Sequence, residues 1–188
     1  MKTQIIQTTI SVIHEVADFE KWHTIYLENS NPNSRIGVLR NMDNPNIVFV
    51  GERTDSHEAA KAFFASEDLQ AAMKEGGVVS KPEIRFLNLT EFNAPGVNDK
   101  FRVSVSHEVA DFDKWKLLFD ADEGRRQSAD LKVSGLGTSE DNPSEVFIVF
   151  ATNDIDRAKA IFNDPSLKDM MKEAGVTSAP EFNYWKSF

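Results

Sequence analysis

The stretch RVSVSHEV at 102–109 alternates apolar and polar side chains, the period of a half-buried β-strand, and TISVIHEV at 9–16 alternates less cleanly. Past each stretch the period lengthens. Phe112, Trp115 and Phe119 fall at i, i+3 and i+7, the spacing of one helical face, and Phe19, Trp22 and Tyr26 repeat it. Asp111 and Asp18 stand just ahead, where a carboxylate can accept the orphan amides that open a helix. Next, RIGVLRNM and IVFVGER flank Asp43-Asn44-Pro45-Asn46, and LKVSGLGT and EVFIVFAT flank Asp141-Asn142-Pro143-Ser144. Both read as hairpins closed by turn residues. A second helix is expected over roughly 56–64 and 154–162. A further short helix begins after Ser66 and after Asp164, with Pro165 at a first helical position. Gly76-Gly77 and Gly175 end it as C-cap glycines, and PEIRFLNL and PEFNYWKSF follow as last strands.

The parallel is an internal duplication. HEVADFEKW at 14–22 and HEVADFDKW at 107–115 agree in eight of nine residues, and nine of the eighteen residues at 66–83 match those at 164–181. The offset grows from 93 at Trp22 to 98 at Asp43, so the second copy carries five more residues between those points. A period this long is that of a repeated domain and not of a solenoid. Each copy reads β-α-β-β-α-β, a ferredoxin-like order that leaves one face of an antiparallel sheet uncovered. Packing those two faces together gives the copies a common core. The expected organisation is a first repeat over 1–92, a linker rich in turn residues over 93–100, and a second repeat over 101–188.

The five extra residues change the first helix. In the second copy it can run through KLLFDADEGRRQSAD and carry Arg125 and Arg126, whereas Asn31-Pro32-Asn33 should stop it early in the first. The two halves then have unequal surroundings for any ligand. Arg125 or Arg126 could reach an anionic ligand, or could be solvated or paired with Asp122 and Glu123.

Composition removes several classes of function. A formal net charge of −9, with no basic cluster longer than Arg125-Arg126, argues against nucleic acid as a partner. No apolar run approaches the roughly 18 residues of a membrane span. The opening MKTQIIQTTI lacks a signal peptide's apolar stretch, so a soluble cytoplasmic protein is expected. The chain has no cysteine, hence no disulfide, thiolate ligand or thiol nucleophile. The four histidines, at 14, 23, 57 and 107, show no metal-ligand spacing, and no metal site is expected. His23 and His57, which have no counterpart in the other copy, are expected at the surface. No nucleophile elbow, P-loop or dinucleotide fingerprint occurs.

Strand alternation puts Val103, Val105 and His107 on one face and Ser104, Ser106 and Glu108 on the other, and it groups Ile10, Val12 and His14 in the first copy. His14 and His107 thus end the more apolar stripes, close to Trp22 and Trp115 on the covering helices. A histidine so placed could act as general base or hydrogen-bond a ligand, or could bond a loop carbonyl and fix the strand-to-helix corner. The aromatics Trp22, Trp115, Tyr26 and Phe119 could line a ligand pocket or simply make core.

His-x-Val-x-Asp with Phe and Trp, then Ala-Lys-Ala, then Leu, Met, Gly-Val and Pro-Glu, resembles the dimeric α+β barrel superfamily, and within it the antibiotic-biosynthesis-monooxygenase-like proteins. The resemblance covers nearly the whole chain in both halves. It implies an α+β fold in which two ferredoxin-like βαββαβ repeats with antiparallel sheets form a single-chain pseudo-dimeric α+β barrel. That assembly would be complete as a monomer, or would pair further as a homodimer. It also implies ligand pockets between each sheet and its own helices. The expected function is small-molecule binding, as a monooxygenase-like or isomerase/cyclase-like enzyme that needs no cofactor and acts on a small aromatic or polyketide-like compound. The alternative is a non-catalytic ligand-binding or structural barrel whose pockets are filled by its own aromatics. Haem-degrading members carry an Asn on the first strand. Neither first strand has one between Ile10 and Glu15 or between Val103 and Glu108, which argues against that activity.

Overall fold

Alternation along the strands decides which side chains meet inside. A computed structural model describes residues 7–93 and 99–187. The first half forms β1 (Gln7–Glu15), α1 (Phe19–Asn29), β2 (Arg35–Asn41), β3 (Ile47–Arg53), α2 (His57–Phe64), α3 (Glu67–Glu75) and β4 (Glu83–Phe92). The second forms β5 (Phe101–Glu108), α4 (Phe112–Ala121), α5 (Glu123–Ser128), β6 (Lys132–Ser139), β7 (Glu145–Thr152), α6 (Ile155–Phe162), α7 (Pro165–Glu173) and β8 (Glu181–Ser187). The middle of the expected linker, residues 94–98, lies outside the described residues.

The strands close into a barrel in the order β1-β3-β2-β8-β5-β7-β6-β4, with every described pairing antiparallel. Each half contributes four adjacent strands. The halves meet at two seams, β2 with β8 and β4 with β6. Closure removes the free edges on which open sheets aggregate.

The pleat sends Phe49, Leu87, Leu89, Phe147 and Trp185 into the lumen, where Phe49 and Phe147 stack at 6.3 Å. Trp185 is 0 % exposed, and its indole N–H donates to Ser104 Oγ at 2.9 Å, which satisfies the polar end of a buried aromatic. This is the common core that duplication makes possible. The opposite face of each sheet packs on its own helices. Val48, Val50 and Trp22 join one such core, and Val146, Ile148 and Trp115 the other.

The helices start where the caps stand. Asp18 accepts from Lys21 N at 2.9 Å and Asp111 from Lys114 N at 3.0 Å, both from the extended backbone of an N-cap. Asp111→Ala should cost about 1 kcal/mol of stability, read as a lowered urea midpoint with an unchanged slope. At the far ends Gly77 (φ 76°) and Gly175 (φ 83°) adopt the left-handed backbone that turns each chain back to the sheet.

Two expectations are corrected. α4 does not run on through Arg126. It ends at Ala121, and the Asp122 N–H divides between Leu118 O and Phe119 O, both at 3.2 Å, before α5 begins. His57 is not on the surface. Its side chain is 9 % exposed and packs edge-on against Phe86 of β4 at 5.9 Å, with Nδ1 3.6 Å from Glu140, because the first turn of α2 lies over that strand. His23 is partly exposed and stacks on Phe19 at 5.4 Å.

Candidate functional site

Two cavities open between sheet and helices, one in each half. The first, of about 330 Å³, is bounded by β1, β3 and the helices α1 to α3. The second, of about 270 Å³, lies between β5, β7, β8 and the helices α4 to α7. These volumes are at the small end of ligand pockets. The pockets are therefore not filled by the protein's own aromatics. All eight residues singled out from the sequence line them: His14, Trp22 and Tyr26 the first, and His107, Trp115, Phe119, Arg125 and Arg126 the second.

The two walls are built alike. In the first, the His14 ring lies 5.3 Å from Trp22, edge to face, and Trp22 stacks on Tyr26 at 5.3 Å and 8°. In the second, His107 lies 5.5 Å from Trp115, which stacks on Phe119 at 4.9 Å. The β-period delivers each imidazole to the helix side, and the helical i, i+4 spacing stacks the two aromatics.

The imidazoles do not bond loop carbonyls. His14 is 5 % exposed and His107 4 %, and neither nitrogen of either ring has a hydrogen-bond partner among the described residues. Backbone bonds hold the strand-to-helix corners instead. Ala17 N donates to Gly77 O at 2.8 Å and Ala110 N to Gly175 O at 2.9 Å. The hydroxyls of Ser80 and Ser178 accept from Glu15 N and Glu108 N, both at 2.8 Å. Leaving a buried polar group unpaired costs about 1–3 kcal/mol, so two rings orphaned at matching positions call for an explanation other than corner structure. Burial lowers the pKa of each ring from 6.5 to about 4, and both are neutral at physiological pH.

The far ends of the walls differ. In the first pocket the Tyr26 hydroxyl donates to Glu52 Oε1 at 2.9 Å. Burial raises the pKa of both groups, and the nearby carboxylate raises the Tyr26 hydroxyl further. In the second pocket the turn at Asp122 folds α5 back, so the Arg126 guanidinium lies 3.8 Å above the Phe119 ring and donates to Phe119 O. Arg126 is 9 % exposed and makes no ion pair among the described residues. Arg125 instead reaches Asp122 at 3.5 Å and donates to Ser166 Oγ at 3.0 Å. Sequence reasoning missed Glu52, although alternation with Val48 and Val50 puts it on the helix-facing side of β3.

No protein-family model matches the sequence, and no curated protein does. Solved structures do match. An anthrone oxidase-like protein is 11% identical, covering 97% of this chain and 91% of its own, with a TM-score of 0.65. A ferredoxin-fold protein of Listeria monocytogenes related to antibiotic biosynthesis monooxygenases is 8% identical, with coverage of 98% and 96% and a TM-score of 0.57. This chain has the dimeric α+β barrel fold. A haem-degrading enzyme of Listeria monocytogenes shares the barrel at 5% identity, with coverage of 95% and 99% and a TM-score of 0.51. In the barrel described here, both four-stranded halves are on one polypeptide. No helix among the described residues is long and apolar enough to cross a membrane.

Proposed function

We propose that this barrel binds a compact aromatic or polyketide-like molecule in its helix-side pockets, and that it works as a monomer in the cytoplasm without a cofactor. In this reading His107 serves the second pocket as general base, with His14 in the matching place in the first. Trp115, Phe119, Trp22 and Tyr26 are the stacking walls, and Arg125 and Arg126 close the second pocket. The observation that carries the reading is the pair of buried imidazoles with no hydrogen-bond partner among the described residues, each beside an apolar cavity. The matching structures support it in kind: one is described as anthrone oxidase-like and another as related to antibiotic biosynthesis monooxygenases. Closure of the barrel within one chain supports the monomer, since among the described residues no sheet edge is left to pair.

The chemistry needs only a proton acceptor next to an electron-rich ring. A neutral imidazole takes the proton of a phenol or an enolisable carbon, and the resulting imidazolium and anion stabilise each other in the water-poor pocket. The carbanion can then add dioxygen and recover the proton as a hydroperoxide, which loses water so that one oxygen atom becomes a carbonyl and the other leaves as water. Alternatively, the anion can rearrange and take the proton back. With a suitable polyphenolic or anthrone-type compound in air, His107→Ala should lower turnover by about 10²-fold or more while the circular dichroism spectrum is unchanged. Undiminished turnover in that variant would end the general-base role.

A binding role without turnover is the second reading. It is favoured by the pKa near 4, which makes each ring a weak base until an anion forms beside it. Saturable binding with no product under air would mark it.

A further inference from the structure

We infer that the two pockets take ligands of different charge: the second an aromatic anion held by Arg126, the first an uncharged aromatic. The inference rests on the small-molecule reading above and assigns a ligand class to each site. Its basis is a comparison of positions that duplication makes equivalent. Tyr26 and Glu52 of the first half correspond to Phe119 and Phe150 of the second, so a hydroxyl and a carboxyl in one pocket are two phenyl rings in the other. The second half's five extra residues fall in the segment that carries Arg126 to the far end of its pocket.

The electrostatics of the two sites follow. The almost wholly buried Arg126 guanidinium pairs directly with no carboxylate among the described residues; Asp122, Asp120, Glu123 and Glu91 act on it only from farther off, and burial outweighs them. It already donates to Phe119 O, and its planar fork suits the oxygens of a carboxylate. Two carboxylates line the same cavity. Asp122 lies 3.5 Å from Arg125, which offsets its charge locally, and Glu173 belongs to the last turn of α7. An anion seated on Arg126 places its ring along Phe119 and Trp115, with His107 at the other end of that wall.

The first pocket has no equivalent. No lysine or arginine among the described residues lines it, and Glu52 would repel a carboxylate when ionised. The nearby Arg35 sits over Tyr26 at 5.6 Å, where its charge acts on Glu52, and its Nε and Nη2 donate to Ser30 Oγ, Leu27 O and Ser30 O. What remains is a neutral imidazole, a Tyr-Glu pair and aromatic walls, a set that hydrogen-bonds an uncharged phenol or ketone.

The three tryptophans make the test site-resolved. Trp22 lines the first pocket, Trp115 the second, and Trp185 sits in the lumen as an internal control. Their indole N–H resonances, assigned with Trp22→Phe and Trp115→Phe, are followed during titration with naphthoate and, separately, with naphthol. Naphthoate should shift Trp115 at concentrations about tenfold or more below those that shift Trp22, while naphthol shows no such preference for Trp115. Arg126→Met keeps the apolar stem and should weaken naphthoate at Trp115 by about tenfold or more beyond any change in naphthol. Tyr26→Phe/Glu52→Gln should strengthen naphthoate at Trp22. Equal affinity of naphthoate for the two pockets in the unmodified protein would overturn the inference without touching the pocket reading. So would an Arg126→Met variant that weakens both probes alike. If neither probe shifted Trp22 or Trp115, both readings would be overturned together.

Discussion

Stability should fall steeply as the pH drops from neutral toward 4, and the loss should trace to two residues. His14 and His107 each have a folded-state pKa of about 4 against 6.5 for the free side chain. A pKa lowered by folding means that the unfolded chain binds more protons. The stabilisation is therefore complete above pH 6.5 and is lost as the pH falls through the folded value. At one pKa unit to about 1.4 kcal/mol, each ring can account for roughly 3 kcal/mol. Together they match a large part of the roughly 5–15 kcal/mol by which a domain of this size is stable. Glu52 works the other way: burial raises its pKa, so it takes up a proton more readily folded than unfolded and offsets part of the loss. Urea midpoints measured in steps across this window should decline, with His107→Gln and His14→Gln each removing about half of the decline and the double variant nearly flattening it. A midpoint that holds constant in the unmodified protein would show that the rings are not held neutral by burial. An aromatic ligand seated on the imidazoles should raise the midpoint across the whole window, because it binds only the folded state.

The same residues show what a sequence can reveal about this site. Val12-Ile13-His14 and Val105-Ser106-His107 are read correctly because a strand's period is local. The short runs from Phe19 to Tyr26 and from Phe112 to Phe119 are read correctly because a helix's period is local too. These two periods set His against Trp in both halves, and the duplication reinforces each reading with an independent copy. Their limits are equally physical. That the imidazoles have no partner among the described residues depends on serine hydroxyls and glycine carbonyls about 60 to 70 residues away, which hold the corners without them. Arg126 looks like the next turn of a polar helix until one shared N–H at Asp122 turns the chain back over Phe119. Glu52 ends a strand like many solvated glutamates, and only the Tyr26 hydroxyl from another element makes it part of a pocket. His57 follows a serine cap in a polar stretch, and it is buried by Phe86, whose place over α2 is a product of the whole sheet.

The barrel itself depends on a position that carries no side chain. Gly137 of β6 pairs with Leu89 of β4 at the seam between the halves. A Cβ there would collide with Asn88 O and would stand 2.7 Å from both the Asn88 carbonyl carbon and Leu89 Cα. All three are backbone atoms of the facing strand, so no rotamer change can relieve the contact, and β4 and β6 would have to part. Leu87 and Leu89, which β4 delivers to the lumen beside Trp185, would be drawn out with it. Gly137→Ala should therefore cost about 3 kcal/mol or more, at the upper end of what overpacking does. Gly37 of β2, also beside a register shift at a barrel strand, is the matched control. Nothing among the described residues lies within 4 Å of the Cβ it would gain, and its backbone is not in the left-handed region. Gly37→Ala should leave stability unchanged or raise it by about 0.5 kcal/mol, through the smaller entropy of the unfolded chain. Urea unfolding of the two variants side by side separates the seam from any general cost of adding a methyl group to a strand. Equal midpoints would mean that β4 and β6 can move apart freely. The two halves would then be held together by β2, β8 and the lumen aromatics alone.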